Sequence, residues 1–490
     1  MRILMISSEV ETFARTGGLG DAVLGLSRAL AHLGHDVCIV TPLYGVTPIP
    51  QRHRWWMERV PVRVGWGPRD VRDCGVCEVP IEGGQGGGSL RVCLLAEDYL
   101  FGGRQGIYGD AAGSFGDNGL RFATLSRGAL EVAARLWPDG FDVIHAHDWH
   151  AALAIVYART TMGEYWQRKP SVFTIHNLAY QGVFGVDALD RFAIPHDLFH
   201  GGCLEQDGHV NLLKGATALC DLATTVSPTY AREIQRRGHG FYLEGFLRAH
   251  SGKLLGIANG IDAERFDPST EGGIAQRYDA STVAPGKWAC KQALVAELGL
   301  DWPDAPLFAC VSRLTEQKGV DLLVHCVGAL VERGARVVLI GKGDAQQEDM
   351  LRHVAVRYPG YVSARIAFDP ALATRVYAGA DFVVVPSRFE PCGLTQLYAM
   401  RFGAIPVVTD VGGLHDTVEP ANLARGSGTG FVARSPTVVD LLVALEDAIS
   451  AFLGRNAFQE LRQRAMARDS SWVTAGRAYV DDVYRRLGAS

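Results

Sequence analysis

Two stretches of the chain repeat one design: a short apolar strand, a loop carrying glycine, and the start of a helix. The first is Arg15-Thr16-Gly17-Gly18-Leu19-Gly20-Asp21, behind the opening run Arg2–Ser7. The second is Arg388-Phe389-Glu390-Pro391-Cys392-Gly393-Leu394-Thr395, behind the run Phe382–Pro386. Such a loop presents backbone N–H groups at a helix start, where an anion is stabilised. Two of them on two α/β units imply a diphosphate-containing substrate held between domains.

The rest of the chain fits this frame. Arg2–Ser7, Asp36–Thr41, Asp142–His145, Ser171–Ile175 and Asp221–Val226 read as buried strands, and Ala22–Leu33 as a helix stopped by Gly34. The pattern restarts with strands at Leu307–Ser312, Arg336–Ile340, Ala364–Phe368, Phe382–Pro386 and Ile405–Thr409. Helices are expected at Gly319–Arg333, Leu372–Ala378, Leu394–Phe402 and Val438–Leu453. Strand–helix alternation implies parallel sheets. A chain of 490 residues exceeds one hydrophobic core, so two domains are expected, with the boundary near Ala249–Leu254. The glycine run Gly83–Ser89 reads as a hairpin tip joining Val76–Ile81 to Leu90–Leu95; no helix follows it, so it is given no chemistry.

Composition removes several classes. A net charge of −5 offers no broad basic surface for nucleic acid. The opening apolar run is too short for a signal peptide, and none reaches the roughly 20 residues of a membrane span. A cytoplasmic protein without a membrane partner is expected. The ten cysteines then read as reduced thiols. Cys74-Gly75-Val76-Cys77 lacks a second Cys-x-x-Cys to complete a metal site, and Cys392 reads as a small packing residue lining the pocket.

Several residues carry candidate chemistry. The first glycine loop is not Gly-x-Gly-x-x-Gly, and Thr41-Pro42 stands where a dinucleotide site wants an acid. No Asp-x-Asp metal clamp occurs, so a leaving diphosphate needs fixed cations. Arg313 and Lys318 stand just past a strand end, where they either grip phosphate or form an ordinary solvated pair. His145-Ala146-His147-Asp148-Trp149-His150 and Thr174-Ile175-His176-Asn177 follow strand ends too. These histidines read as metal ligands, as polar site lining, or as satisfied structural groups. His145 and His147 are expected to alternate with the pleat, one facing the core, while the turn aims Asp148 toward a ligand. Glu390 either serves sugar hydroxyls and developing positive charge or balances a helix dipole. Asn259, in an Asn-Gly pair at the expected hinge, is either a ligand contact or a plain turn.

Taken in order, Thr16–Leu19, Arg104–Asp110, Asp117-Asn118, His145–Trp149, Thr174–Asn177, Asn259–Asp262, Ser312–Gly319, Pro386–Thr395, Gly412–Leu414 and Gly428–Phe431 resemble the glycogen and starch synthase family across nearly the whole chain. The resemblance implies an α/β fold of the GT-B type, two Rossmann-like domains facing across a deep cleft. Residues 1–250 would form the acceptor-side domain and 251–471 the nucleotide-sugar domain, with 472–490 a helix crossing back to the first. The implied reaction moves glucose from ADP-glucose to the 4-hydroxyl at the non-reducing end of an α-1,4-glucan, with retention and with neither cofactor nor metal.

The resemblance also implies roles. The Gly18 backbone would meet the distal phosphate, and Asp21 would lie near the ribose. Arg313 and Lys318 would bind the diphosphate with Gly393, Leu394 and Thr395. Asp148, His176, Asn177, Asn259 and Glu390 would surround the glucose, and Phe368 would stack on adenine where the family often has tyrosine. Three positions depart from the family: Arg15 replaces its usual lysine, Asp410 stands near a usual basic residue, and Lys342 replaces a small one. Competing readings are a retaining transferase using UDP-glucose or another acceptor, and a catalytically silent glucan-binding protein.

Overall fold

The computed structural model describes residues 1–81 and 86–488. The chain forms two compact units, Met1–Gly260 with Trp472–Ser490, and Ile261–Ser471.

The first unit is built on one nine-stranded sheet. Its strands are β1 (Arg2–Ile6), β2 (Asp36–Pro42), β3 (Arg54–Arg63), β4 (Val71–Ile81), β5 (Leu90–Ala96), β6 (Val143–His147), β7 (Ser171–Ile175), β8 (Leu222–Thr225) and β9 (Leu254–Gly256), in the order β9-β8-β7-β6-β1-β2-β5-β4-β3. Strands β9 through β5 run parallel. The hairpin β4–β5 is antiparallel, and the tip of the glycine run, residues 82–85, lies outside the described residues. Strand β3 adds an antiparallel edge. The sequence does not announce it, because charged Arg54, Glu58, Arg59 and Arg63 break the apolar run, as suits an edge.

Alternation along β1 explains why the sheet is buried on both faces. Leu4 and Ile6 enter one core, while Ile3 and Met5 enter the other. The second core is closed by α1 (Gly18–His32) and by the C-terminal segment. Helix α1 starts at Gly18, four residues before the expected Ala22, so the glycine loop is its first turn.

The second unit holds a six-stranded sheet of β10 (Leu307–Val311), β11 (Arg336–Gly341), β12 (Val362–Ile366), β13 (Phe382–Val385), β14 (Ile405–Thr409) and β15 (Phe431–Ala433). All pairs are parallel, in the order β12-β11-β10-β13-β14-β15. Counted within the unit this is 3-2-1-4-5-6, the doubly wound order of a Rossmann fold. The parallel part of the first sheet follows the same scheme, with β1 and β6 as the strands where the order reverses. Ligands of such sheets collect at the carboxyl ends of those two strands, so the topology alone selects four loops.

The C-terminal helix α4 (Trp472–Ala478) and the wider helical turn Tyr479–Tyr484 pack within the first unit. Their seat is a strip of small residues on α1. A Cβ on Gly25 would stand 2.0 Å from the Trp472 indole Nε1, and one on Gly476 would stand 3.0 Å from Ala29 Cβ. Gly25→Ala is therefore expected to lower the urea midpoint. Alanine favours a helix by about 1 kcal/mol, but displacing a buried indole costs about 1–3 kcal/mol. A raised midpoint would contradict this packing.

Candidate functional site

In the first unit the loop after β1 is organised by a carboxylate that sequence reasoning passes over. Glu9 is 3% exposed. It accepts from Thr16 N at 2.7 Å, Thr16 Oγ1 at 2.7 Å, Gly17 N at 3.2 Å and the Tyr108 hydroxyl at 2.7 Å. Tyr108 is itself placed by the segment from Arg104 to Asn118. Arg104 makes two 2.7 Å contacts with Asp117, and Asn118 Nδ2 donates to the Tyr108 carbonyl at 2.8 Å. The only signal in the sequence is an acid shortly beyond a buried strand.

With Thr16 and Gly17 amides committed to Glu9, the donors left for a ligand are the first-turn N–H groups of α1, starting at exposed Gly18. Arg15 is not free: its guanidinium pairs with Asp21 at 2.9 Å. Burial raises the Asp21 carboxyl to about 6, against the lowering pull of Arg15.

At the other reversal strand, α2 (Asp148–Thr160) starts directly from β6. Asp148 takes the left-handed region at φ 56°, a conformation aspartate tolerates better than most residues. Its Oδ1 accepts from the backbone N–H of His176 at 2.7 Å and of Asn177 at 3.4 Å. Asp148 therefore shapes the turn after β7, bringing three of the sequence candidates together. Burial pushes its carboxyl up to about 7, and the two amides pull it down.

His145 and His147 do not take opposite faces. Residues two apart on a strand share a face, and their rings stack at 4.2 Å. Both are fully buried. His145 meets the Tyr484 hydroxyl at 2.8 Å through Nδ1 and Thr174 Oγ1 at 2.6 Å through Nε2. His147 Nδ1 is 3.0 Å from His176 Nε2. His150 lies against Tyr108, Phe122 and Trp149. Burial lowers His145, His150 and His176 to about 3, so these rings are neutral near pH 7. Among the described residues no three His, Cys, Asp or Glu side chains converge as a metal site. Asn259 is half-buried near the end of this unit, after β9.

In the second unit, the loops after β10 and β13 are locked together. Arg388 makes a two-pronged contact with Asp321 at 2.7 and 2.6 Å, and its N–H donates to the Gln317 carbonyl at 2.8 Å. Gly319 has φ 62°, and a Cβ there would stand 2.0 Å from the Pro386 carbonyl oxygen. Between the loops, Lys318 Nζ meets Glu390 Oε2 at 2.6 Å, and Ser387 Oγ donates to the same oxygen at 2.8 Å. Glu390 is 4% exposed. Arg313 stands exposed in the same loop as Lys318.

Cys392 is buried, and Gly413 packs so close that a Cβ would stand 1.9 Å from the Cys392 carbonyl oxygen. Gly393 takes φ 70° and leads through Leu394 into α3 (Thr395–Arg401). Phe368 lies two residues beyond β12 rather than inside the expected strand, and is 77% exposed. At the departures from the family pattern, Asp410 pairs with His415 at 2.6 Å, and exposed Lys342 receives the Leu314 N–H on its carbonyl at 3.1 Å.

Residues 2–249 match the family described as Starch synthase catalytic domain, and residues 305–451 match Glycosyl transferases group 1. The chain is 43% identical over 485 residues to a glycogen synthase of Myxococcus xanthus (strain DK1622), covering 98% of each. A glycogen synthase 2 of Agrobacterium fabrum (strain C58 / ATCC 33970) is 40% identical over 487 residues, covering 98% of this chain and 92% of that one. The catalytic domain of Starch Synthase IV from Arabidopsis thaliana, bound to ADP and acarbose, matches with a TM-score of 0.90 at 30% identity, covering 100% and 99%. Two Rossmann-like units with these reversal-point loops define a glycosyltransferase of the GT-B class. The chain belongs to the glycogen and starch synthase family.

The raised Asp148 carboxyl makes a signed prediction. Below about pH 4 it is neutral in both the folded and unfolded chain; between pH 4 and about 7 the unfolded carboxyl ionises first, so its contribution to stability falls as pH rises. Asp148→Asn keeps the acceptor oxygen, tolerates the positive φ, and removes the buried charge. It is expected to stabilise the protein in urea unfolding, with a larger gain at about pH 7.5 than at about pH 5. A gain that shrinks with rising pH would contradict the assignment.

Proposed function

We propose that the chain transfers glucose from ADP-glucose to the 4-hydroxyl at the non-reducing end of an α-1,4-glucan, retaining the anomeric configuration. The observation that carries this reading is the second unit's reversal point. Lys318 stands there against the buried carboxylate Glu390, and a second cation, Arg313, is exposed in the same loop as Lys318. Likeness to a starch synthase that binds ADP supports the nucleotide. Breaking the anomeric bond builds negative charge on the diphosphate and positive charge on the sugar. Arg313 and Lys318, with the Gly393, Leu394 and Thr395 backbone, serve the first; Glu390 serves the second.

Lys318 is held by Glu390. It is thus preplaced, and its ammonium can meet a phosphate oxygen while keeping the carboxylate. His176, Asn177 and Asn259 are assigned to glucosyl hydroxyls, with Asp148 holding the turn that carries the first two. The Gly18 amide and Arg15 are assigned to phosphate, Asp21 to the ribose side, and exposed Phe368 to the adenine face. In the transfer, the bond from the anomeric carbon to the phosphate oxygen breaks. The bond to the acceptor oxygen forms on the same face, and the acceptor proton passes to the leaving diphosphate. Fixed cations take the place of a metal, and buried cysteines that form no disulfide among the described residues suit a cytoplasmic enzyme. No helix among the described residues is long and apolar enough to cross a membrane.

The test is ADP release from ADP-glucose in the presence of glycogen, run in parallel with UDP-glucose and after exhaustive EDTA treatment. ADP-glucose turnover that survives EDTA is expected. Arg313→Ala is the cleanest variant, because Lys318→Ala would also strand a buried carboxylate. Losing a charge-assisted contact to the developing charge is expected to cost about 2–4 kcal/mol in kcat/KM. Arg313→Ala with unaltered turnover, or a preference for UDP-glucose, would overturn the reading.

A further inference from the structure

The proton on His176 can be located from the residues behind it. His147 Nε2 lies 3.4 Å from the Met5 thioether sulfur, and His147 Nδ1 lies 3.0 Å from His176 Nε2. A thioether has lone pairs and no hydrogen, so in the first contact the N–H belongs to His147 Nε2. Burial beside two other imidazoles holds His147 well below its ordinary range, so the ring carries one proton only. Its Nδ1 is then a bare lone pair. The hydrogen in the second contact must come from His176 Nε2. His176 is neutral as well, so its Nδ1 is left bare, and Nδ1 has no protein partner among the described residues.

We infer that Met5 and His147 fix His176 as the Nε2–H tautomer, so that Nδ1 is presented as a hydrogen-bond acceptor for a hydroxyl of the transferred sugar. His147 is a positioning residue in this scheme, acting through His176. The His147 ring has little freedom to do otherwise. It stacks on His145 at 4.2 Å, and both nitrogens of His145 are occupied by the hydroxyls of Tyr484 and Thr174. Thr174 Oγ1 is in turn 2.6 Å from Thr224 Oγ1. The C-terminal segment therefore reaches the site through Tyr484. A bare Nδ1 accepts from a sugar hydroxyl and repels a group that offers only lone pairs, so it selects a donor hydroxyl.

The ligand half of this inference rests on His176 being a sugar contact; the tautomer half does not. The test uses the full chain with 15N-histidine, reading the two His176 nitrogens by long-range 1H–15N correlation without ligand. A protonated Nε2 and a bare Nδ1 are expected, and the reverse overturns the inference. Met5→Leu conserves volume but removes the sulfur acceptor. It is expected to shift the His176 signals toward a tautomer mixture and to lower kcat about five-fold, the worth of one neutral hydrogen bond, with a smaller change in KM for ADP-glucose. His147→Asn, whose Oδ1 replaces the Nδ1 acceptor, is expected to keep the His176 tautomer and more activity than His147→Leu. An unaltered His176 spectrum in Met5→Leu overturns the relay, and an altered spectrum with unaltered turnover overturns its role in transfer. Absence of ADP-glucose turnover in the parent protein would instead defeat the functional reading, while the spectrum still decides the tautomer.

Discussion

The second unit depends on one close approach. With no Cβ on Gly319, the loop after β10 can lie against the Pro386 carbonyl, where any side chain would stand 2.0 Å from oxygen. That approach sets Lys318 within 2.6 Å of Glu390, and the Arg388–Asp321 fork holds it shut. Gly413 does the same from the far side, its N–H donating to the Glu390 carbonyl at 2.9 Å. The glycines here are steric necessities of backbone packing as much as they are ligand contacts. A buried carboxylate is costly unless paired and hydrogen-bonded, and Lys318 and Ser387 satisfy one of its oxygens.

The first unit solves a different electrostatic problem. Its glycine loop sits among three buried or half-buried acids, Glu9, Glu11 and Asp21, an unfavourable setting for an anion. Glu9 is hydrogen-bonded by backbone and hydroxyl donors, and Asp21 is paired with Arg15 while burial raises its carboxyl to about 6. An arginine suits this task because its guanidinium reaches Asp21 while its charge stays near the loop. Behind the site, the histidines form an uncharged stripe linked by hydroxyls and one sulfur, so polar groups are buried without burying charge.

Much of this is legible in the amino-acid order. Buried parallel strands announce themselves as apolar runs, and β1, β2, β7, β10, β13 and β14 fall within a residue or two of the expected spans. Glycine loops after β1 and β13 fall at the carboxyl ends of strands where the order reverses, the place where doubly wound sheets collect ligands. What sequence cannot show is the pairing of side chains far apart in the chain. Nothing local says that Glu9 takes the Thr16 and Gly17 amides, or that Tyr108 joins it from 99 residues away. Placing His145 and His147 on opposite faces is a failure of arithmetic about the pleat. Strand β3 escapes notice because edge strands carry charge and lose the apolar signature.

The proposed seat of the diphosphate is the reversal point of the second sheet, at Arg313 and Lys318. The most direct measurement is a crystal structure with ADP bound. That seat puts phosphate oxygens within about 3 Å of the Arg313 guanidinium and Lys318 Nζ, over the carboxyl ends of β10 and β13, with adenine against Phe368. ADP bound with both cations empty, or seated at any other edge of the sheet, would contradict it.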